Sequence, residues 1–261
     1  ILTVITNYKT MRAHFLISIL FALLTLNSCK PEKEKNKSNK SPIIEQNDIS
    51  SVYGIDLSHH QNNEIDSISK STDSLSFVIC KATEGVTYTD PLFLKNWKTI
   101  KERGFLRGAY HFYRSEDDPL AQAAFFLKII TGIENTDIPP IIDFEEGGID
   151  KSKSVGEIQS SLKIFINEIE KQLKCSPIIY TDFNTGNKYL NNTYFSDYPL
   201  WIANYNGKIS PDLPEIWKNK GWLIWQRKST YKLDNQNNDF DVFNGNLSDF
   251  REFIKNSYNK K

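Results

Sequence analysis

Several signatures of catalysis are missing from this chain. It has no His-Glu-x-x-His segment and no closely spaced cysteine pair, which removes the usual spacings of a zinc ligand set. No Gly-x-Ser-x-Gly elbow occurs either, so a serine nucleophile of the α/β-hydrolase kind is disfavoured. Asp56, His59, His60 and His111 could be imagined around a metal, but adjacent histidines on an irregular segment lack ligand spacing. No metal and no cofactor is expected. An excess of one charge is also absent, since 32 Lys and Arg balance 32 Asp and Glu. Residues 1–50 hold seven of the basic and four of the acidic residues, leaving 25 against 28 in the rest. A nucleic-acid partner is therefore not expected, nor is attraction to a polyanion. There is no internal repeat.

A membrane-spanning run is lacking as well. Residues 15–26 are apolar but too short to cross a bilayer comfortably, and Lys9 and Arg12 precede them in the pattern of a secretory signal. Leu26-Asn27-Ser28-Cys29 follows and resembles the lipobox of bacterial lipoproteins, in which the Cys becomes the lipidated first residue. Residues 1–28 are thus expected to be a signal peptide and Cys29 the lipidation site. Met11 is the sole methionine, and a signal starting there has ordinary proportions, which makes residues 1–10 candidate upstream read-through. Beyond Cys29 the chain runs Lys-Pro-Glu-Lys-Glu-Lys-Asn-Lys-Ser-Asn-Lys-Ser-Pro, with nothing apolar to bury. Residues 29–50 then form a lipidated, solvated tether, and residues 51–261 the globular body. The Lys- and Glu-rich start of the tether favours export to an outer membrane over retention at the inner one. Membrane contact would be through the lipid alone.

Cysteine is scarce. With Cys29 acylated, Cys80 and Cys175 remain, both in apolar, strand-like stretches where a thiol acts as a small hydrophobe. The sequence does not decide whether they pair. Aromatic residues are plentiful: five Trp, twelve Tyr and sixteen Phe are enough for both a core and a ring-lined groove.

Short apolar runs recur along the body, at Val52–Asp56, Ser76–Lys81, Arg107–Phe112, Pro140–Glu145, Pro177–Thr181, Leu200–Ala203, Trp222–Gln226 and Phe240–Phe243. Helix-compatible segments separate most of them. Ser154-Val-Gly-Glu157 is a capping-box pattern followed by Val155, Ile158, Leu162, Phe165, Ile169 and Leu173 at helical spacing. Residues 92–103 and 119–130 are also expected to be helical. Such alternation predicts an α/β fold, a single TIM-like barrel of about eight mainly parallel strands. In barrels of this kind the chemistry sits at the C-terminal strand ends. The runs end in Asp56, Lys81 with Glu84, His111 with Tyr113, Asp143 with Glu145, Tyr180 with Asp182, Asn204 with Tyr205, Gln226, and Asp239 with Asp241. Nearly every strand would present a polar group to one mouth.

The centre of that mouth is Pro-Pro-Ile-Ile-Asp143-Phe-Glu145. Side chains two apart on a strand share a face, so two carboxyl groups stand together. Crowded in a partly buried cleft they cannot both ionise easily, and one becomes a proton donor near neutral pH. The alternative is a pair of acids that cap a helix or meet Arg or Lys.

Tyr-Gly-Ile-Asp56-Leu-Ser-His-His-Gln, Phe-Val-Ile-Cys-Lys81-Ala-Thr-Glu84-Gly, Arg-Gly-Ala-Tyr110-His111-Phe-Tyr113, the Asp143-Phe-Glu145 segment, Pro-Ile-Ile-Tyr180-Thr, Leu-Trp201-Ile-Ala-Asn-Tyr205 and Ile-Trp225-Gln226 occur in order. Together, from about Tyr53 to Gly245, they resemble glycoside hydrolase family 25, the Chalaropsis-type N-acetylmuramidases. The resemblance implies a flattened barrel, a monomer, and cleavage of the β-1,4 bond between N-acetylmuramic acid and N-acetylglucosamine in peptidoglycan glycan strands. It implies Glu145 as general acid, Asp143 as partner of the substrate's 2-acetamido group, and Asp56 as a third site acid. The family's last strand commonly carries Val-Asp-x-Asn before Phe and a Gly turn, whereas here Asp239-Phe-Asp241-Val-Phe-Asn-Gly stands. Asp239 falls at the acidic position and Asp241 where Asn is usual. Asp239 is preferred as the fourth acid, with Asp241 second and a substrate contact. His111, Tyr113, Tyr180, Trp201, Tyr205 and Gln226 are expected to bind the glycan. Tyr110 and Trp225 are divided between cleft and core, and Lys81 and Glu84 between an ion pair and substrate contact.

Two rivals share the scaffold. Chitinase-like barrels carry further acids along the Asp-x-Glu strand, where this chain has Pro139, Pro140, Ile141 and Ile142. A non-catalytic peptidoglycan-binding lipoprotein would have no need of intact acids at Asp56, Asp143 and Glu145.

Overall fold

The computed structural model describes residues 51–59, 65, 74–233 and 236–258. The expected signal segment 1–28, the Cys29 lipidation site, the tether and His60 lie outside the described residues. No helix among the described residues is long and apolar enough to cross a membrane.

The chain alternates strands and helices: β1 (Val52–Leu57), β2 (Leu75–Glu84), β3 (Tyr88–Thr89), α1 (Phe93–Glu102), β4 (Leu106–Phe112), α2 (Pro119–Ile129), β5 (Ile141–Asp143), α3 (Val155–Leu173), β6 (Ile178–Asp182), α4 (Phe183–Tyr189), β7 (Leu200–Ala203), β8 (Ile224–Leu233), β9 (Gln236–Phe243) and α5 (Leu247–Ser257). Hydrogen bonding runs β1-β9-β8-β7-β6-β5-β4-β2, and β2 pairs back to β1, so eight strands close a barrel with β3 hung on β2. The ring is parallel except around β9, which is antiparallel to both β8 and β1. Too few residues separate β8 from β9 for a crossover, and consecutive strands so joined pair antiparallel. All eight expected strands are present. β5 is shorter than expected, while β8 and β9 extend beyond the barrel as a long ribbon.

Helix ends follow local chemistry. Ser154 accepts from the Glu157 amide, and Glu157 accepts from the Ser154 amide at 2.8 Å, closing the expected capping box of α3. Asp118 caps α2 at the Ala121 amide, 2.8 Å away, with Pro119 at the first helical position. α4 and α5 were not identified from periodicity; α4 is short, and α5 opens with its own capping box at Asn246 and Asp249.

Alternation along the strands builds two cores. Ile55, Val78, Cys80, Ala109, Ile142, Ile179 and Ile202 face outward onto α1, α2 and α3. Val52, Phe77, Ile79, Ile141, Ile178, Ile224 and Phe243 face inward and fill the lower barrel. Phe250 of α5 stacks on Phe243 at 4.1 Å and meets Phe77 edge-on at 5.2 Å, sealing the floor. Gly54 makes room for this filling: a Cβ there would lie 2.4 Å from the Phe77 ring. With its floor packed, the barrel interior opens at the upper end. Cys80 and Cys175 are both buried and form no disulfide, which answers the question of pairing.

Candidate active site

The upper end holds a cavity of about 200 Å³ lined by Asp56, Tyr110, Asp143, Glu145, Tyr180, Trp201, Tyr205, Gln226 and Asp239. Each lining strand delivers its residue by parity. In the ladder Phe112 pairs with Asp143 and Asp143 with Tyr180, while Tyr110 pairs with Ile141. These residues therefore share the inner face. Glu145 lies just past β5, but its backbone stays extended (φ −124°, ψ 160°), so it remains on the side of Asp143. β9 runs from mouth to floor, which brings Asp239 level with Asp56, its ladder partner.

A hydrogen-bonded chain fixes the far wall. Gln226 Nε2 donates to Asp56 Oδ2 at 2.7 Å, and Gln226 Oε1 accepts from the Tyr180 hydroxyl at 2.9 Å and from the Tyr205 hydroxyl. Trp201 packs edge-on against Tyr180, centroids 4.5 Å apart, and donates Nε1–H to Asp241 Oδ1 at 2.9 Å. Tyr205 remains about half exposed at the rim, 54%. The rings of Tyr180, Trp201 and Tyr205 are thus held by their polar tips rather than left free to rotate.

Burial pushes the acids up. The Asp143 carboxyl is raised well above the ordinary range, first by desolvation and next by Glu145, and Glu145 is raised by its own burial. Asp56 is raised by burial and by Asp239 and Asp241. Lys81 opposes this. It is buried on the inner face, bonds Glu84 Oε2 at 2.6 Å, sits 4.9 Å over the Phe112 ring, and draws both Asp143 and Glu145 back down. Lys81 and Glu84 do not line the cavity, so of their two expected roles the ion pair is present, with Arg114 joining it.

Three expected substrate contacts are elsewhere. His111 follows Tyr110 by one residue and so faces outward, fully buried between Phe126 and Phe165. Its Nε2–H donates to Gln122 Oε1 at 3.1 Å, and the Thr83 hydroxyl donates to Nδ1 at 2.8 Å. Burial lowers its pKa to about 4. Tyr113 has the same parity, with its hydroxyl 2.8 Å from Ser161 Oγ under α3. Asp241 faces inward but two residues deeper than Asp239, closed off beneath the cavity. Tyr110 takes the cleft position instead, while Trp225 points outward and donates to the Asn204 carbonyl at 2.7 Å. The imagined zinc set fails on the same parity: Asp56 and His111 lie on opposite faces of the sheet, and His59 is bonded to Asp90 at 2.9 Å.

Asp241 Oδ2 is buried with no hydrogen-bond partner among the described residues, and desolvation raises this carboxyl well above its ordinary value. Because the folded form holds its proton more tightly than the unfolded form, stability falls as pH rises from the unfolded value of about 3.9 through the raised folded one. Asp241→Asn keeps an acceptor for Trp201 and removes the titration. The expected results are activity within a few fold of the parent and a smaller drop in Tm between pH 4 and 7. An unchanged Tm–pH slope would remove Asp241 from the raised group.

A closed α/β barrel with a packed floor and, at its upper end, a cavity edged by carboxyl groups and aromatic rings has the construction of a glycoside hydrolase. Comparison of the sequence makes that specific: residues 55–236 match Glycosyl hydrolases family 25, and the chain belongs to that family. It is 33% identical over 211 residues to the uncharacterized protein YegX of Escherichia coli K12, covering 78% of this chain and 73% of the relative. It is 30% identical to Lysozyme M1 of Streptomyces globisporus, covering 77% and 70%. The crystal structure of a bacterial lysozyme from Streptomyces coelicolor superposes with a TM-score of 0.72 at 28% identity, covering 80% of this chain and 99% of that one.

Proposed function

We propose that this glycoside hydrolase is a muramidase, cutting the β-1,4 bond between N-acetylmuramic acid and N-acetylglucosamine in peptidoglycan. The observation that carries the reading is the pairing of Asp143 and Glu145 on one inner face at the cavity floor, in a family that includes proteins named lysozyme. Both carboxyls are raised, so the pair keeps its last proton to a higher pH than free carboxyls do. Asp143 Oδ1 is buried without a partner among the described residues. An acetamido N–H arriving there stabilises the charged form of Asp143 and leaves the proton on Glu145. Glu145 then gives that proton to the departing glycosidic oxygen while the acetamido carbonyl oxygen attacks the anomeric carbon. Water opens the resulting cyclic intermediate, Glu145 takes the water's proton, and the configuration is retained. Substrate assistance of this kind is a recognised variant of the two-carboxylate scheme.

Muropeptides released from purified cell wall test the bond. New muramic acid reducing ends support the reading; new glucosamine ends, or cleavage of chitin alone, oppose it. The acid assignment has a pH signature. Lys81, by its positive charge, favours the ionised form of Glu145. Lys81→Met removes that charge and raises the Glu145 pKa, so the alkaline limb of kcat/KM moves to higher pH. A limb that stays put, or moves down, would detach it from Glu145.

The N-terminal segment completes the proposal. A lipid on Cys29 and the leash of residues 30–50 would hold a monomeric enzyme at an outer membrane within reach of an insoluble polymer. The mass of the mature N-terminal peptide checks the acylation.

A further inference from the structure

A second groove, about 610 Å³, adjoins the acid cavity and shares Tyr205 with it. Its wall is the part of β8 that continues past the barrel, carrying Arg227, Lys228, Tyr231 and Lys232, with Gly207 opposite. Lys228 and Lys232 are exposed; Arg227 is half-buried, its guanidinium 5.0 Å over the Trp225 ring. Among the described residues no acid lines this groove, whereas Asp56, Asp143, Glu145 and Asp239 line the neighbouring cavity. Three cations gathered here run against a body that holds 25 basic and 28 acidic residues. The barrel does not need the ribbon, since the β8–β9 ladder already closes the ring at Gln226 and Asp241.

We propose that this groove binds the carboxylate-bearing peptide stem attached to the glycan. The inference rests on the muramidase reading. A sugar held among the acids of the cavity sends its lactyl-linked stem outward, because those carboxylates repel the stem's own. Tyr205 stands at the exit, and beyond it Arg227, Lys228 and Lys232 offer charge-assisted hydrogen bonds to the stem's acids. The groove thus acts as a selectivity subsite, favouring glycan that still carries peptide.

The test compares the full-length protein with an Arg227→Gln, Lys228→Gln, Lys232→Gln variant on intact peptidoglycan and on the same polymer stripped of stems by an amidase. KM on stem-bearing glycan should rise about ten-fold with kcat held, and kinetics on stripped glycan should be unchanged. The parent's preference for stem-bearing glycan should shrink with added salt. Equal loss on both polymers, or none on either, would overturn the subsite. Titration of a free stem tetrapeptide into both proteins decides the matter without catalysis: weaker binding to the variant supports it, and equal binding refutes it. Loss confined to polymers bearing phosphate in place of stems would assign the cations to a different anion and refute it too. If the parent yields no muramic acid ends from either polymer while tetrapeptide binding still depends on the cations, the muramidase reading fails and the groove stands.

Discussion

Glu145→Gln should lower kcat on cell-wall glycan by roughly 10²- to 10⁴-fold, the range a positioned general acid supplies, with KM little changed. Gln preserves the shape and the reach toward Tyr180 but has no proton to deliver. The loss should therefore depend on how much the leaving group needs protonation. A substrate whose leaving group is a nitrophenolate departs unaided, and on it the variant should keep most of the parent's rate. Equal loss on both substrates would mean that Glu145 positions the sugar, and an unchanged rate would remove it from the chemistry. Glu145 acts as the acid only as the protonated member of the pair once substrate is bound. Burial raises it, and Lys81 limits that rise.

The largest effect on stability is expected away from the cleft. Arg107 opens β4 on the outer face and is 5% exposed. Its guanidinium forks onto Asp137, Nε to Oδ1 at 2.8 Å and Nη2 to Oδ2 at 2.9 Å. It also donates to the carbonyls of Trp97 and Gly132, each at 3.0 Å, and lies 3.9 Å over the Trp97 ring. One side chain thus joins α1, β4, the end of the α2 loop and the approach to β5. Arg107→Ala leaves Asp137 buried without its counter-charge, at a cost of about 3–5 kcal/mol. That is a fall in Tm of roughly 6–20 °C for a domain of this size. Replacing both members, Arg107→Ala with Asp137→Ala, removes the stranded charge and should recover part of the loss. A double variant no more stable than the single would show that packing over Trp97, not the ion pair, carries the effect. Arg107 sits at the barrel end opposite the cleft, so specific activity well below the Tm should be unaffected.

Much of the architecture was legible because burial patterns are local. Eight apolar runs, the Ser154–Glu157 box and the Asp118-Pro119 start each follow from residues a few positions apart. The acids at Asp56, Asp143 and Glu145 were visible as strand ends, and the structure brings them to one cavity. The direction of β9 was not read, although it decides the order of Asp239 and Asp241 in depth. A strand entering from the mouth presents its first acid to the cleft and hides its second.

The cleft's aromatic wall shows the limit most clearly. Tyr110, His111 and Tyr113 lie within four residues of one another, and a strand's period of two allows either of two faces to be the inner one. Nothing within β4 breaks that tie: Ala109, His111 and Tyr113 form one plausible face, Gly108, Tyr110 and Phe112 the other. The choice was made by pairing, when Phe112 came into register with Asp143 and α2 and α3 covered the opposite side. Sequence alone determined the fold class, the family and the acids at the strand ends, because those depend on composition, spacing and order along the chain. Which aromatic rings face the sugar, and which acid lies beneath the floor, was decided only by the closed barrel, because parity and depth are properties of strand register.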